Sequence, residues 1–428
     1  MPFENTATYS AIGFRFLERP MTDPTGRSFL SYRRTRAAEA ALLIQAQHDH
    51  GIPTWQDIHN LGPIPTEDEI RRVLSDPATA NAVLFITPEV ETSSIIRNVE
   101  VPKVIGRAEA SDAFFVVPVA AGGLDYAKAA EVTSNHLSAA NLTYWNVHKI
   151  PGGVVTAADA TTVASRVLVE RVNAIHAALP EGAPLRLGLF ARRSPPFEPG
   201  TAFSADWSAH FRDKEASPAT WEDRLLPALS RIAAAARQYA PGRAVEAYGL
   251  PTLPAATALG CVFSSTGGVA VSWRQYTPGQ SDQTWTLSAP RAASGFVVRL
   301  ASYDTSARDI AVLLSVTDDV EPVFASFKNH LPNLRALVHV AKPGPYPHRL
   351  ASPGEALDVA MVTQEGLRRA RREYGDVGTI HLFQATPAGV AMLVGQLLNT
   401  FGFVQTYEHV TVDGSGIYRP AALLRPND

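Results

Sequence analysis

Cysteine is almost missing from this chain. A single Cys261 in 428 residues excludes an intrachain disulfide and leaves no thiolate set to hold a metal. Charge is sparse as well. Charged residues make up 18% and the formal net charge is -3, so no long-range field gathers DNA or long RNA. No apolar run approaches the roughly 18 residues of a membrane helix. The start, MPFENTATYSAIGFRF, lacks the basic-then-apolar order of a secretory signal, and a cytoplasmic location without membrane contact is expected. A dinucleotide fingerprint, a phosphate-binding loop, HExxH and GxSxG are all absent. The twelve histidines make no ligand-spaced set beyond HDH at 48–50, which reads as a solvated helix end. No metal and no resident cofactor are expected. Cys261 sits in a strand-like stretch and reads as a small core residue.

What is present is apolar and alternating. Hydrophobic residues reach 46%, and a chain of this length has room for two cores. Short runs such as RSFLSYR (27–33), AVLFIT (82–87) and AFFVVPV (113–119) read as buried strands. The alanine- and leucine-rich stretch 36–48 between them reads as a helix. A further helix is expected from residue 93 or 94 through Glu100, with Pro102 ending or kinking it. Strand-helix alternation of this kind specifies a parallel sheet with right-handed crossovers. Residues 120–160 show no clean period, 154–179 read as one long helix, and PEGAP at 180–184 is the best boundary. Two domains follow, 1–180 and 181–428. The second is again α/β, with strands at 185–190, 309–316, 335–340 and 379–383. A hairpin region is expected around 262–287. The last helix, 387–398, has Thr386 as its cap and Pro387 at its first position.

Two regions carry candidate chemistry. Glu89, Glu91 and Glu100 follow the C-terminal end of the third strand, the edge at which open parallel sheets bind ligands. A carboxylate there could oppose positive charge on a ribose during glycosidic cleavage. In the second half, Ser315, Thr317 and Asp318 lie at or past one strand end, and Lys342 past another. Gln384 and Thr386 lead into a helix N-terminus with free backbone donors. That grouping suits a phosphate-bearing ligand, with Asp318 meeting a ribose hydroxyl or base amine. Arg368, Arg369, Arg371 and Arg372 read as a solvated helix face.

The segments FLSYRR (29–34), GIPTWQD (51–57), AVLFITP (82–88) and SSIIRNVE (93–100) resemble the strand and helix-C pattern of TIR domains, over about residues 25–135. The resemblance implies a flavodoxin-like parallel-sheet domain that cleaves NAD+ at the nicotinamide–ribose bond, with Glu100 as the catalytic glutamate. The usual aromatic four residues earlier is Ile96 here, which leaves Glu91 and Glu89 as alternatives. The nucleotide cleft carries over onto Phe29, Ser31, Tyr32 and Arg33, and onto Trp55 and Asp57. Residues 185–425 are similar to a SAVED domain, an α/β sensor made of two CARF-like (Rossmann-like) halves. The likeness rests on AVEAYG (244–249), VLLSVTDDV (312–320), ALVHVAKPG (336–344) and HLFQATPAGVAMLVGQLLN (381–399). Together the resemblances imply a TIR–SAVED effector of bacterial CBASS antiphage immunity. In such an effector a cyclic oligonucleotide, cyclic tri-adenylate above all, binds the SAVED half and drives assembly into a homo-oligomer or filament. NAD+ is then depleted in infected cells. The other reading is a non-catalytic TIR adaptor whose oligomerisation is under nucleotide control.

Overall fold

The computed structural model describes residues 21–55, 66–110, 113–276 and 281–426. Its first sheet has five strands, β1 (Arg27–Ser31), β2 (Thr54–Trp55), β3 (Thr79–Ile86), β4 (Phe115–Ala120) and β5 (His148–Lys149), in the order β2-β1-β3-β4-β5. Every pairing is parallel, as the alternating pattern predicts, and the order is the flavodoxin-like one that the TIR resemblance implies. β3 is buried along its whole length because helices cover both faces of the sheet. On one face lie α1 (Ala37–Asp49) and the later α6 (Ala157–Ala178), packed on Leu30, Val83 and Val117. On the other face lie α2 (Thr66–Ser75) and α3 (Val101–Ala108), then α4 (Tyr126–Val132) and α5 (Ala139–Tyr144). These pack around Phe29, Leu84 and Val116.

The chain from 181 onward repeats one plan twice. The first half has β6 (Leu185–Phe190), β7 (Phe203–Asp206), α7 (Leu226–Tyr239), β8 (Val245–Leu250), α8 (Leu253–Val262), β9 (Val271–Gln275) and β10 (Gln283–Thr286). The second half opens with β11 (Val297–Ser302), then β12 (Asp309–Ser315), α9 (Glu321–Phe327), β13 (Leu334–Ala341) and α10 (Pro353–Tyr374). It closes with β14 (Ile380–Ala385), α11 (Ala388–Gln396), β15 (Val404–Val412) and β16 (Ser415–Leu424). The sheets run β10-β9-β8-β6-β7 and β11-β13-β12-β14-β15-β16. Their parallel centres share a topology in which the first strand is flanked by the second and third. α8 and α11 therefore occupy equivalent places, and they cross at glycines. A Cβ on Gly260 would lie 2.0 Å from the Met392 carbonyl oxygen, and one on Gly395 2.1 Å from that of Thr257.

Four local readings change. Residues 253–262 are a helix capped by Thr252, so the region expected as hairpin begins only at β9. Cys261 lies in that helix at the edge of a cavity, half-buried with its thiol pushed up to about 11 by burial. Thr386 does not cap α11. Pro387 holds the cap position without a side-chain bond, and the Thr386 hydroxyl is buried with no partner. The HDH triplet is not solvated, because the end of α1 abuts the stretch around β7. His48 bonds Thr54 at 2.6 Å, Asp49 meets His210 at 2.7 Å, and His50 bonds its own helix at 2.7 Å.

The joint between the domains is built around α6. Arg171 on that helix is fully buried. Its guanidinium donates to the carbonyls of Thr25 and Gly26 at 2.5 and 2.6 Å and to those of Ala202 and Thr201 at 2.9 and 3.3 Å. One apolar core runs continuously from Leu30 through α6 and α7 to Leu424. Among the described residues no helix is long and apolar enough to cross a membrane.

Candidate functional site

β1 ends at Ser31, and β3 delivers the chain through Pro88 to a π turn at Ile96–Glu100 that runs straight into α3. Pro102 has no N–H to give a preceding carbonyl. It is accommodated in the first turn of α3 just past the π turn, so it neither ends nor breaks the helical run. This path brings Glu100 back over the end of β1. The Ser31 hydroxyl donates to Glu100 Oε2 at 2.5 Å, and the two residues are 3% and 7% exposed. Beside them the Phe29 and Trp55 rings stack at 5.4 Å and 18°. Phe29 and Ser31 alternate with Leu30, so both point to the same face of the sheet as Glu100. Ile96 is buried in the core beneath.

The three candidate acids have different surroundings. Arg36 clamps Glu89 through Nε and Nη2 at 3.0 and 2.8 Å and reaches Glu39 at 2.8 Å. The hydrogen bond from Arg36 holds the Glu89 carboxyl down to about 2. Glu91 is exposed. Of the three, only Glu100 is buried. Arg33 reaches across to Thr92 Oγ1 at 3.3 Å, while Tyr32 leaves the cluster and lines a cleft beside α1. Asp57 and the loop around it, 56–65, lie outside the described residues.

The second set of residues gathers where β12, β13 and β14 end. The amides of Val316 and Thr317 both donate to the Ala385 carbonyl at 2.8 Å, folding the chain over the end of β14. Ser315 is committed internally. Its hydroxyl meets His339 Nε2 at 2.9 Å and accepts from the Val320 amide at 3.1 Å. Thr317 and Asp318 are exposed. Lys342 lies along Gly295, whose φ of +78° a side chain would rarely adopt. Gln384 donates to Thr257 at 2.9 Å, yet its Oε1 is buried and unpartnered, as is the Thr386 hydroxyl. Two orphaned polar groups at one sheet edge are expensive unless something else satisfies them.

The repeat of plan adds residues that sequence reading missed. Ala191 donates to the Leu250 carbonyl at 3.1 Å as Val316 does to that of Ala385, so Arg192 and Arg193 stand where the other half has Thr317 and Asp318. The signal was a strand, LRLGLF, running directly into ARRS. Arg192 donates to the buried Glu408 on β15. Burial pushes the Glu408 carboxyl up to about 7 against the opposing pull of Arg192 and Thr252.

Residues 226–424 match the family model of SAVED, described as the SMODS-associated and fused to various effectors sensor domain. No curated protein matches the chain. Among solved structures, the Acinetobacter baumannii Cap4 SAVED/CARF-domain containing receptor with the cyclic trinucleotide 3'3'3'-cAAA is 15% identical. It has a TM-score of 0.48 and covers 92% of this chain and 100% of that chain. The Moraxella osloensis Cap4 SAVED/CARF-domain containing receptor is 13% identical at a TM-score of 0.42, with the same coverage. Residues 226–424 thus match a SAVED sensor domain, and β6 and β7, which precede the match, complete the sheet of its first half.

Proposed function

We propose that the chain is a two-part effector in which a cyclic oligonucleotide bound by the SAVED domain switches on an NAD+-cleaving, TIR-like N-terminal domain. The observation that carries this reading is the buried Glu100 carboxylate, held by Ser31 beside the Phe29–Trp55 stack at the ligand-binding edge of a parallel sheet. In the reaction the bond between ribose C1′ and the nicotinamide nitrogen breaks, and its electron pair leaves with neutral nicotinamide. Positive charge builds on the ribose, and a fixed carboxylate in a site of low dielectric opposes it. Water adds to C1′ and gives up a proton to solvent, leaving ADP-ribose. The aromatic pair is packed in the core beneath and holds the end of β1 in place.

On the sensor side, Thr386 and Gln384 Oε1 are unsatisfied groups for a ribose hydroxyl or a base amine, and Asp318 suits the same partners. Lys342 supplies a cation for phosphate. A cyclic tri-adenylate has all of these features. Its binding would bring protomers together, in the manner of a CBASS antiphage effector. The second reading is a non-catalytic adaptor, favoured by Ile96, whose apolar side chain is packed into the core where enzymatic TIR domains have an aromatic.

The test is nicotinamide release by the full chain mixed with NAD+, with and without cyclic tri-adenylate. Turnover is expected only with the trinucleotide. Glu100→Gln is expected to lower it by about a thousandfold or more while trinucleotide binding and assembly persist. Assembly without any nicotinamide release by the parent chain would make the domain an adaptor.

A further inference from the structure

Between α1 and the loops that follow β6 and β7 lies a cleft of about 700 Å3. It is a joint between the two domains and is separate from the Glu100 cluster and from the edge formed by Thr317, Lys342 and Thr386. One wall is the side of α1 where the exposed Ala37 and Ala41 leave the space open. Leucine or arginine at those positions would have filled it. Tyr32 and Phe211 bring aromatic surface to it. Arg192, Arg193 and Arg212 also line it.

The charges in this cleft do not balance. Arg192 is tied to Glu408. Among the described residues Asp206 is the one carboxylate in the lining, and its Oδ1 already accepts the amide and hydroxyl of Ser208 at 3.0 and 2.6 Å. Arg193 and Arg212 have no carboxylate partner among the described residues. Guanidinium groups sharing a concave space without a counter-charge favour an anion, and their planar forks match phosphate oxygens in pairs. The volume falls within the roughly 300–1,000 Å3 of small-molecule sites, more than an inorganic anion needs. The aromatic and small apolar wall suits a planar ring on the same molecule.

We propose that this interdomain cleft binds a phosphate-bearing nucleotide, at a site distinct from the sensor edge. The ligand would touch α1 of the N-terminal domain and the strand-end loops of the sensor at once. It would also compete with Glu408 for Arg192, so its occupancy is read by both domains. The proposal does not depend on NAD+ cleavage.

Calorimetric titration of the full chain with ADP, pyrophosphate and adenosine tests it. ADP is expected to bind once per chain, more weakly as salt rises from about 50 to about 300 mM, with pyrophosphate weaker and adenosine weaker still. Arg193→Gln with Arg212→Gln should weaken ADP binding at least about tenfold. Ala41→Trp, which fills the cleft and keeps every arginine, should do the same. Thr317→Ala with Lys342→Ala should leave ADP affinity within about twofold. The arginine pair is exposed, so that variant keeps the test valid if the tryptophan variant does not fold. The proposal is overturned by no ADP binding at millimolar concentration, by adenosine binding as tightly as ADP, or by affinity unchanged in the arginine variant. Loss of ADP binding in the Thr317 and Lys342 variant would place the nucleotide at the sensor edge and overturn it equally.

Discussion

Ser31 and Glu100 stand 69 positions apart in the chain yet meet at 2.5 Å in a dry corner. A hydroxyl donating to a buried carboxylate is among the stronger hydrogen bonds of a protein, worth about 1.5–3 kcal/mol. Ser31→Ala is therefore expected to lower stability by about that amount, measured by urea unfolding. A double-mutant cycle with Glu100→Gln should return a coupling of at least about 1 kcal/mol, and additivity would show that the bond contributes nothing. An exposed acid such as Glu109, just past α3, would not behave this way, because solvent screens it. Glu408 gives a pH test. Its carboxyl titrates near 7 when folded and at an ordinary 4.5 otherwise, so the folded state holds the extra proton between those values. Stability should fall as pH rises through that window, at up to about 1.4 kcal/mol per unit. Glu408→Gln should flatten the decline between about pH 5 and pH 7.5 in chemical denaturation; an unchanged slope would assign the titration elsewhere.

At the scale of elements, the two halves of the sensor are held by the crossing of α8 and α11. Each glycine at the crossing faces a backbone carbonyl of the other helix at a distance no Cβ can share. Gly260→Ala or Gly395→Ala must push the helices apart, at a cost of about 3 kcal/mol or more, since the obstacle is backbone rather than a movable side chain. Thermal melts should show it as a clear drop. The crossing also explains why this stretch gave no helical signal. TLPAATALGCVF is apolar all round with little helical stripe, as expected of a helix buried on every side, and periodicity alone cannot separate it from strand. The long final hairpin of β15 and β16 was likewise not placed by pattern. Buried and exposed residues alternate unevenly along both of its strands, and the register shifts between Gln405 and Tyr407.

For the whole molecule, Arg171 joins the two domains. A charged group with no exposure survives because four carbonyl dipoles, two from each domain, take up its N–H groups. Burial still lowers its pKa to about 10, so it remains charged at neutral pH. Arg171→Met would strand those carbonyls without donors and cost about 3 kcal/mol or more. Calorimetry is expected to show a single melting transition in the parent chain that splits in the variant. Lysine should not restore it, because one ammonium cannot span four acceptors set by a planar fork. A variant that melts like the parent would mean that the apolar core alone couples the domains.

The alternation of apolar runs and helices was enough to specify two α/β units, a parallel first sheet and the strand ends at which polar residues collect. Glu100 could be named with Glu89 and Glu91 from the end of the third strand, because side-chain alternation is a local property of the chain, whereas Phe29, Ser31 and Trp55 were named through the resemblance to TIR domains. Which acid is buried, that Tyr32 turns away to a different cleft, and that Arg192 answers Thr317 in a repeated plan are matters of approach between distant segments. No periodicity records them. They were decided by how the sheets and α6 pack, since burial, hydrogen-bond partners and net local charge exist only once those surfaces have met.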